Sequence, residues 1–305
     1  MHSESRLEAI LQSGTFTVTA EVVPPRGADA EAVRSQAANL VGYADAANVT
    51  DNPTSSAHMS SVAGAHLVKQ AGLEPVVQFT TRDRNRLAIT ADLLGAWALG
   101  ARNVLCLTGD PAATGDHPDA VEVNDLGVLD LIRFVARLRD QGTLLSGKKI
   151  ESPPRYFVGA ADVPLAPGYD PGRLEAKADA GAGFVQTQIV YDLDALGGWA
   201  EKVRPLGIFE RVFVLIGVAP PRTLRSVEFM QEHLPGVEVP DAVVARMREA
   251  DDPAAEGVAI AVEVIEGLRR IEGIAGVHVM GLGREHSVRQ VIERAGLLPR
   301  PEEAG

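Results

Sequence analysis

Glu21 is the residue with the most chemistry in prospect. It lies in Phe16-Thr17-Val18-Thr19-Ala20-Glu21-Val22-Val23-Pro24-Pro25-Arg26, an alternating β-branched and apolar run that predicts a strand. The two prolines stop the ladder at once, so Glu21 stands near the strand's C-terminal end among Ala20, Val22 and Val23. A carboxyl so placed loses solvation, its pKa rises, and it can hold a proton near neutral pH. That is the requirement for a general acid. The same pattern also suits a strand-end glutamate paired with a nearby arginine, and both readings stand at this point.

The rest of the chain supplies the elements that would hold Glu21 in place. Later strands are expected at Ala46 to Val49, Pro75 to Phe79, Asn103 to Leu107, Tyr156 to Ala160, Phe184 to Gln188, Arg211 to Ile216 and Gly276 to Met280. Helices should alternate with them: from Asp29 to about Gly42, Ser55 to Ala71, Arg84 to Leu99, Asp125 to Gln141, Gly172 to Ala180, a run capped by Asp192, and Arg222 to His233. Two more, near Asp241 to Ala250 and Pro253 to Ile271, are inserted before the last strand, and Arg284 to Ala295 closes the pattern. Eight strands alternating with helices predict a single (β/α)8 TIM barrel over 15–296, preceded by a helical extension over 1–14 and followed by a flexible tail over 297–305. A doubly wound sheet lacks support, because neither Gly181-Ala182-Gly183 nor Gly281-Leu282-Gly283 completes a dinucleotide fingerprint.

In a barrel the strand C-termini converge on one mouth. The residues found there are Glu21, Thr50, Thr80 or Thr81, Asp110, Asp162, Gln188, Gly217 and Gly281. Several chemistries fall away. No lysine ends a strand to form a Schiff base. The single cysteine, Cys106, excludes a thiolate metal site and reads as core filler. His58, His66, His117, His233, His278 and His286 show no ligand spacing and read as structural or solvated, so no metal is expected. A net charge of −12 without a basic cluster argues against nucleic acid. With no apolar run long enough to span a membrane and no apolar signal core in Met1 to Gly14, a cytoplasmic address is expected.

Several motifs resemble the methylenetetrahydrofolate reductase family. Ala20-Glu21-Val22-Val23-Pro24-Pro25-Arg26 is similar to its first strand, Asn48-Val49-Thr50 to its second, and Leu107-Thr108-Gly109-Asp110-Pro111 to its fourth. Lys177-Ala178-Asp179-Ala180-Gly181-Ala182-Gly183-Phe184 through Thr187-Gln188 resembles a further family segment, in the right order. The resemblance implies a flavin-bearing barrel in one-carbon metabolism that converts 5,10-methylenetetrahydrofolate to 5-methyltetrahydrofolate. It implies that Glu21 is the general acid, that Asp110 lies by the flavin and pterin with a catalytic part, and that Gln188, with Glu21 and Asp110, meets the folate. Thr50, Thr80, Gly109, Asp110, Ala161, Asp170 and Lys177 would hold FAD, with FMN or no flavin as alternatives. NADH or a partner electron-donating subunit would supply electrons, in a homo-oligomer or hetero-complex.

The sequence departs from the family at Thr108, where arginine is common, and at Gln78, where a histidine is frequent. Asp51-Asn52 and the loop Glu122-Val123-Asn124-Asp125 also differ. These features resemble the branch found in acetogens and some actinobacteria, whose donor is not always NADH. A flavin-free folate-dependent methyl or methylene transferase, or a folate-binding subunit of a larger complex, is the competing expectation.

Overall fold

Strand alternation sorts the side chains into two environments. On β1 (Thr17–Val22), Val18, Ala20 and Val22 face outward into the helix-covered core, and Thr17, Thr19 and Glu21 point the other way. The same alternation runs through β2 (Ala46–Val49), β3 (Pro75–Thr80), β4 (Asn103–Leu107), β5 (Phe157–Asp162), β6 (Phe184–Ile189), β7 (Phe213–Val218) and β8 (Ile274–Val279). In the computed structural model, which describes residues 3–234, 236–281 and 285–301, these strands pair in parallel, each with the next. β1 also pairs with β8, closing the ring. The fold is a TIM barrel, as the element count predicts.

The barrel interior is built in layers. Ala46, Val76, Leu105, Phe157, Phe184 and Leu215 fill the lower part, with the Phe157 and Phe184 rings 4.8 Å apart. Glycine is required beside them. A Cβ on Gly159 would fall 2.2 Å from the Phe184 ring, so only glycine leaves room for it. Below, α1 (Arg6–Gln12) inserts Leu7 and Leu11 and plugs the floor of the ring. Ser5 caps α1 through the Glu8 amide, and Arg6 donates to the Asp45 carbonyl at 2.7 Å. The expected N-terminal helix is therefore an integral stopper.

Outside the ring lie α2 (Ala30–Ala38), α3 (Ser61–Gln70), α4 (Arg86–Ala98), α5 (Val128–Gln141), α6 (Pro171–Asp179), α7 (Leu193–Val203), the short α8 (Ile208–Arg211), α9 (Leu224–His233), α10 (Asp241–Glu249), α11 (Pro253–Leu268) and α12 (Glu285–Arg294). Both inserted helices, α10 and α11, appear where expected. The helix expected from Ser55 begins only at Ser61, because Ser60 supplies the cap and Asn52, Thr54 and Ser55 take positive φ. Those residues form a 3-10 turn, Pro53–Ser55, that packs on a second one at Ala112–Thr114. A Cβ on Gly115 would overlap the Ser55 carbonyl, so the two loops touch through backbone.

The start of the tail expected to be flexible from 297 is held in place through Arg300. Arg300 donates to both Asp45 carboxylate oxygens, with both side chains buried, and to the Phe16 carbonyl. Positions 302–305 of that tail, and Arg284 at the start of the last expected helix, lie outside the described residues, as do Leu282 and Gly283.

Candidate active site

Glu21 opens into a cavity of about 180 Å³ at the C-terminal mouth of the barrel. Its wall combines Glu21, Asn48, Gln78, Asp162, Gln186, Gln188 and His278 with apolar Leu105, Leu107 and Met280. Among the described residues no hydrogen-bond or ion-pair partner meets the Glu21 carboxylate. Burial alone therefore acts on it and pushes its pKa up to about 7. The ion-paired reading of Glu21 is thus not the one the structure shows. Arg26, the arginine at the end of the same segment, pairs instead with Asp116.

Gln188 reaches the same cavity because β6 is irregular there. The register with β7 shifts between Gln186 and Ile189. The Thr187 hydroxyl accepts from the Gly217 amide at 3.0 Å, and a Cβ on Gly217 would lie 2.4 Å from the Thr187 carbonyl oxygen. Gly217, expected at the rim to admit a ligand, instead admits this backbone. The Gln188 amide oxygen accepts from the Ile189 N–H at 2.9 Å, which leaves its nitrogen to donate into the cavity.

Beneath Glu21 lies a hydrogen-bonded layer. Asn48 and Gln186 exchange amide bonds of 2.6 and 3.1 Å, and Gln186 also donates to the Thr19 hydroxyl at 3.0 Å. Thr19 in turn meets His278 Nδ1 at 3.0 Å. His278 is 4% exposed, and burial lowers its pKa to about 4, so the ring is neutral. Sequence reasoning missed Gln186 and set His278 aside as structural or solvated. The available signal was period two: Phe184, Gln186 and Gln188 share one face of β6, as Thr19 and Glu21 share one face of β1.

Of the other expected site residues, Ala161 and the rim residue Asp162 line this cavity, and the rest lie outside its wall. Thr80 donates through both its amide and its hydroxyl to Asp51, which a two-pronged Arg84 contact at 2.6 and 3.0 Å holds in place. Gly109 takes φ +94° beside Thr80. The exposed Asp110 carboxylate accepts from the Thr54 N–H at 2.9 Å, and its carbonyl accepts from Arg82 and Ser55. Asp170 caps α6 through the Gly172 amide. Lys177 donates to the Ala161 carbonyl at 2.7 Å and to Asp162 at 3.1 Å, and Tyr169 donates to the same carboxylate. Asp170 and Lys177 border a separate cavity of about 400 Å³ beside α5 and α6. Thr50 differs: of the polar side chains the resemblance gives to a flavin, it alone has a hydroxyl buried without a partner inside the protein. Cys106 is a buried core residue whose thiol is pushed up in pKa by burial, as expected. Among the described residues no cluster of metal-ligating side chains occurs, and no helix is long and apolar enough to cross a membrane.

Fold and mouth together define a TIM-barrel protein with a protonatable carboxyl over a ring of neutral amides. The family model described as methylenetetrahydrofolate reductase matches residues 6–296, and the chain belongs to that family. Its members are generally flavin-dependent. The chain is 28% identical over 239 residues to methylenetetrahydrofolate reductase 1 of Schizosaccharomyces pombe, covering 74% of this chain and 36% of that protein. It is 23% identical over 315 residues to the 5,10-methylenetetrahydrofolate reductase of Pectobacterium carotovorum, covering 98% and 97%. The chain thus spans about a third of its fungal relative and nearly all of the bacterial one. Among solved structures, an uncharacterized protein from Clostridium thermocellum that binds two copies of 5-methyl-5,6,7,8-tetrahydrofolic acid superposes with a TM-score of 0.67 at 13% identity, covering 95% of this chain and 97% of that one.

Proposed function

We propose that the chain reduces 5,10-methylenetetrahydrofolate to 5-methyltetrahydrofolate, with Glu21 as the general acid. The observation that carries this reading is the unpartnered Glu21 carboxyl, raised to about 7, at the mouth of a barrel of this family. The methylene bridge joins N5 and N10 of the folate in a five-membered ring. Glu21 gives its proton to N10 as the bond from N10 to the methylene carbon breaks, leaving a cationic N5 iminium. Hydride then adds to that carbon and makes the N5-methyl group. The free Gln188 amide nitrogen donates to the pterin edge and orients it. Asp110, expected in the catalytic set, acts in this reading through the loop contact it makes with Thr54.

The hydride comes from a reduced nicotinamide, the donor class printed in the names of relatives from Caenorhabditis elegans (NADPH) and rice (NADH). FAD between donor and folate is one form of the proposal; direct transfer is the other. Direct transfer is favoured by the way Thr80, Asp110, Asp170 and Lys177 are already bonded within the protein. Purified chain should then be colourless, and added FAD should leave its turnover unchanged. A bound flavin band that tracks activity restores the FAD form.

Glu21→Gln keeps size and hydrogen-bonding reach but removes the proton. Turnover of methylenetetrahydrofolate should fall by roughly 100- to 10,000-fold, the usual worth of a positioned acid, while 5-methyltetrahydrofolate affinity stays within a few-fold. A folded variant that turns over at nearly the normal rate sinks the proposal.

A further inference from the structure

The cavity wall has a composition the acid step does not require. Beside Glu21 it presents four carboxamides, Asn48, Gln78, Gln186 and Gln188, one imidazole, and the Asp162 carboxylate, which Lys177 and Tyr169 already engage, with no arginine or lysine in the wall itself. Glu21 alone would serve for proton delivery in a plain apolar slot. Burying this many neutral polar groups is costly unless each finds a partner, so their pattern of partners is informative.

Asn48 and Gln186 satisfy each other, and Gln186 adds its bond to Thr19. His278 is satisfied at only one end. Its Nδ1 meets Thr19 Oγ1 at 3.0 Å, shorter than the 3.4 Å from that hydroxyl to the Val277 carbonyl. Assigning the threonine proton to this shorter contact puts the neutral ring's own proton on Nε2. Nε2 has no partner among the described residues, yet it is not among the unpartnered polar atoms sealed from solvent. The little exposure His278 retains opens into the cavity it lines. A buried ring, fixed from behind and carrying one unfilled donor into a pocket, has the form of a ligand contact.

Resting on the reading of the cavity as a folate site, we propose that His278 touches the substrate: its Nε2–H donates to an acceptor atom on the pterin ring, and Thr19 with the Gln186–Asn48 pair holds the imidazole in that orientation. The ligand class is a neutral bicyclic heterocycle bearing a lactam edge. A cationic ring at this position would repel the iminium that forms once Glu21 has given up its proton, and deep burial keeps the histidine uncharged through the neutral range.

Two substitutions separate the contact from the scaffold. In His278→Asn the shorter side chain retains a group near Nδ1 for Thr19 but has nothing at the Nε2 position. In His278→Gln the longer amide reaches that position. By titration calorimetry His278→Asn should bind 5-methyltetrahydrofolate about tenfold more weakly, the scale of one lost hydrogen bond, and His278→Gln should stay within about threefold of the unaltered protein. A readout on unaltered protein guards against a variant that does not fold. In ¹⁵N-histidine-labelled chain, the resonance missing from His278→Gln identifies this ring, and its Nε2 signal should move on saturation with 5-methyltetrahydrofolate. A folded His278→Asn with unchanged affinity, or an Nε2 signal indifferent to bound folate, overturns the assignment. If the unaltered chain binds no folate, the proposed function itself fails and takes this contact with it.

Discussion

Desolvation of Glu21 ties activity and stability to one proton, so both decline as pH rises through 7. The folded carboxyl titrates at about 7 against an ordinary value of 4.5, so between those values the folded chain binds a proton that the unfolded chain has lost. Stability from this residue is fully present below 4.5 and is lost as pH rises through 7. Glu21→Gln should consequently be more stable than the unaltered protein at pH 8, by about 1–2 kcal/mol after allowing for partial solvent access, and no more stable at pH 4. Urea unfolding at the two pH values checks this. Over the same upper range the folate reaction of the unaltered chain should slow as the acid form disappears, and a flat rate from pH 6 to 9 would remove Glu21 as the proton source. The position of Glu21 and the desolvation of its carboxyl were legible in sequence because one apolar run and two prolines fixed its place on a strand. The partners of Thr80, Asp110 and Lys177 were not, since they depend on which loops meet above the barrel.

At the scale of elements, the β6 irregularity aims Gln188 into the mouth, and Gly217 makes room for it. Gly217→Ala would bring a Cβ to 2.4 Å from the Thr187 carbonyl oxygen and 2.7 Å from that of Gln188. The expected cost is about 1–3 kcal/mol of stability, as for other overpacked interiors, with a several-fold higher KM for folate as Gln188 is displaced. A thermal melt and a substrate titration on one preparation read both, and an unchanged KM in a destabilised variant would separate Gly217 from substrate positioning. A second substitution, Gln188→Ala, should weaken folate binding without a comparable loss of stability, because the residue is only partly buried and its amide nitrogen faces the cavity. Strand existence was readable from alternation, whereas a register shift leaves no mark in the alternation of a single strand. The late start of α3 was hidden for a related reason: the positive φ values at Asn52, Thr54 and Ser55 arise from the loop they pack against.

Across the whole molecule the barrel is closed from below by both ends of the described chain. Asp45 is fully buried, and its carboxylate receives the Val18 amide and Arg300. Arg300→Met should cost about 3–5 kcal/mol, because it strands a buried charge; the double substitution with Asp45→Asn should recover most of that. Equal melting temperatures for Arg300→Met and the unaltered chain would mean that the tail is dispensable. The eight-fold alternation was legible across the chain because every interior position obeys the same two-residue period. The arginine clamp was not, since nothing local in the Leu297–Pro301 stretch marks a partner found more than 250 residues earlier.

Arg6, at the start of the plug helix, donates to the carbonyl of Pro301 at 2.5 Å, so the two ends of the fold are neighbours on the face opposite the mouth. A ring whose ends meet has no structurally privileged first strand. Residues 6 and 301 could be bridged by a short glycine linker, and the chain reopened in the exposed turn between Thr143 and Lys149, which join by a single antiparallel bridge. The reordered polypeptide would begin at β5, end after α5, and still present Glu21, Gln188 and His278 around one cavity.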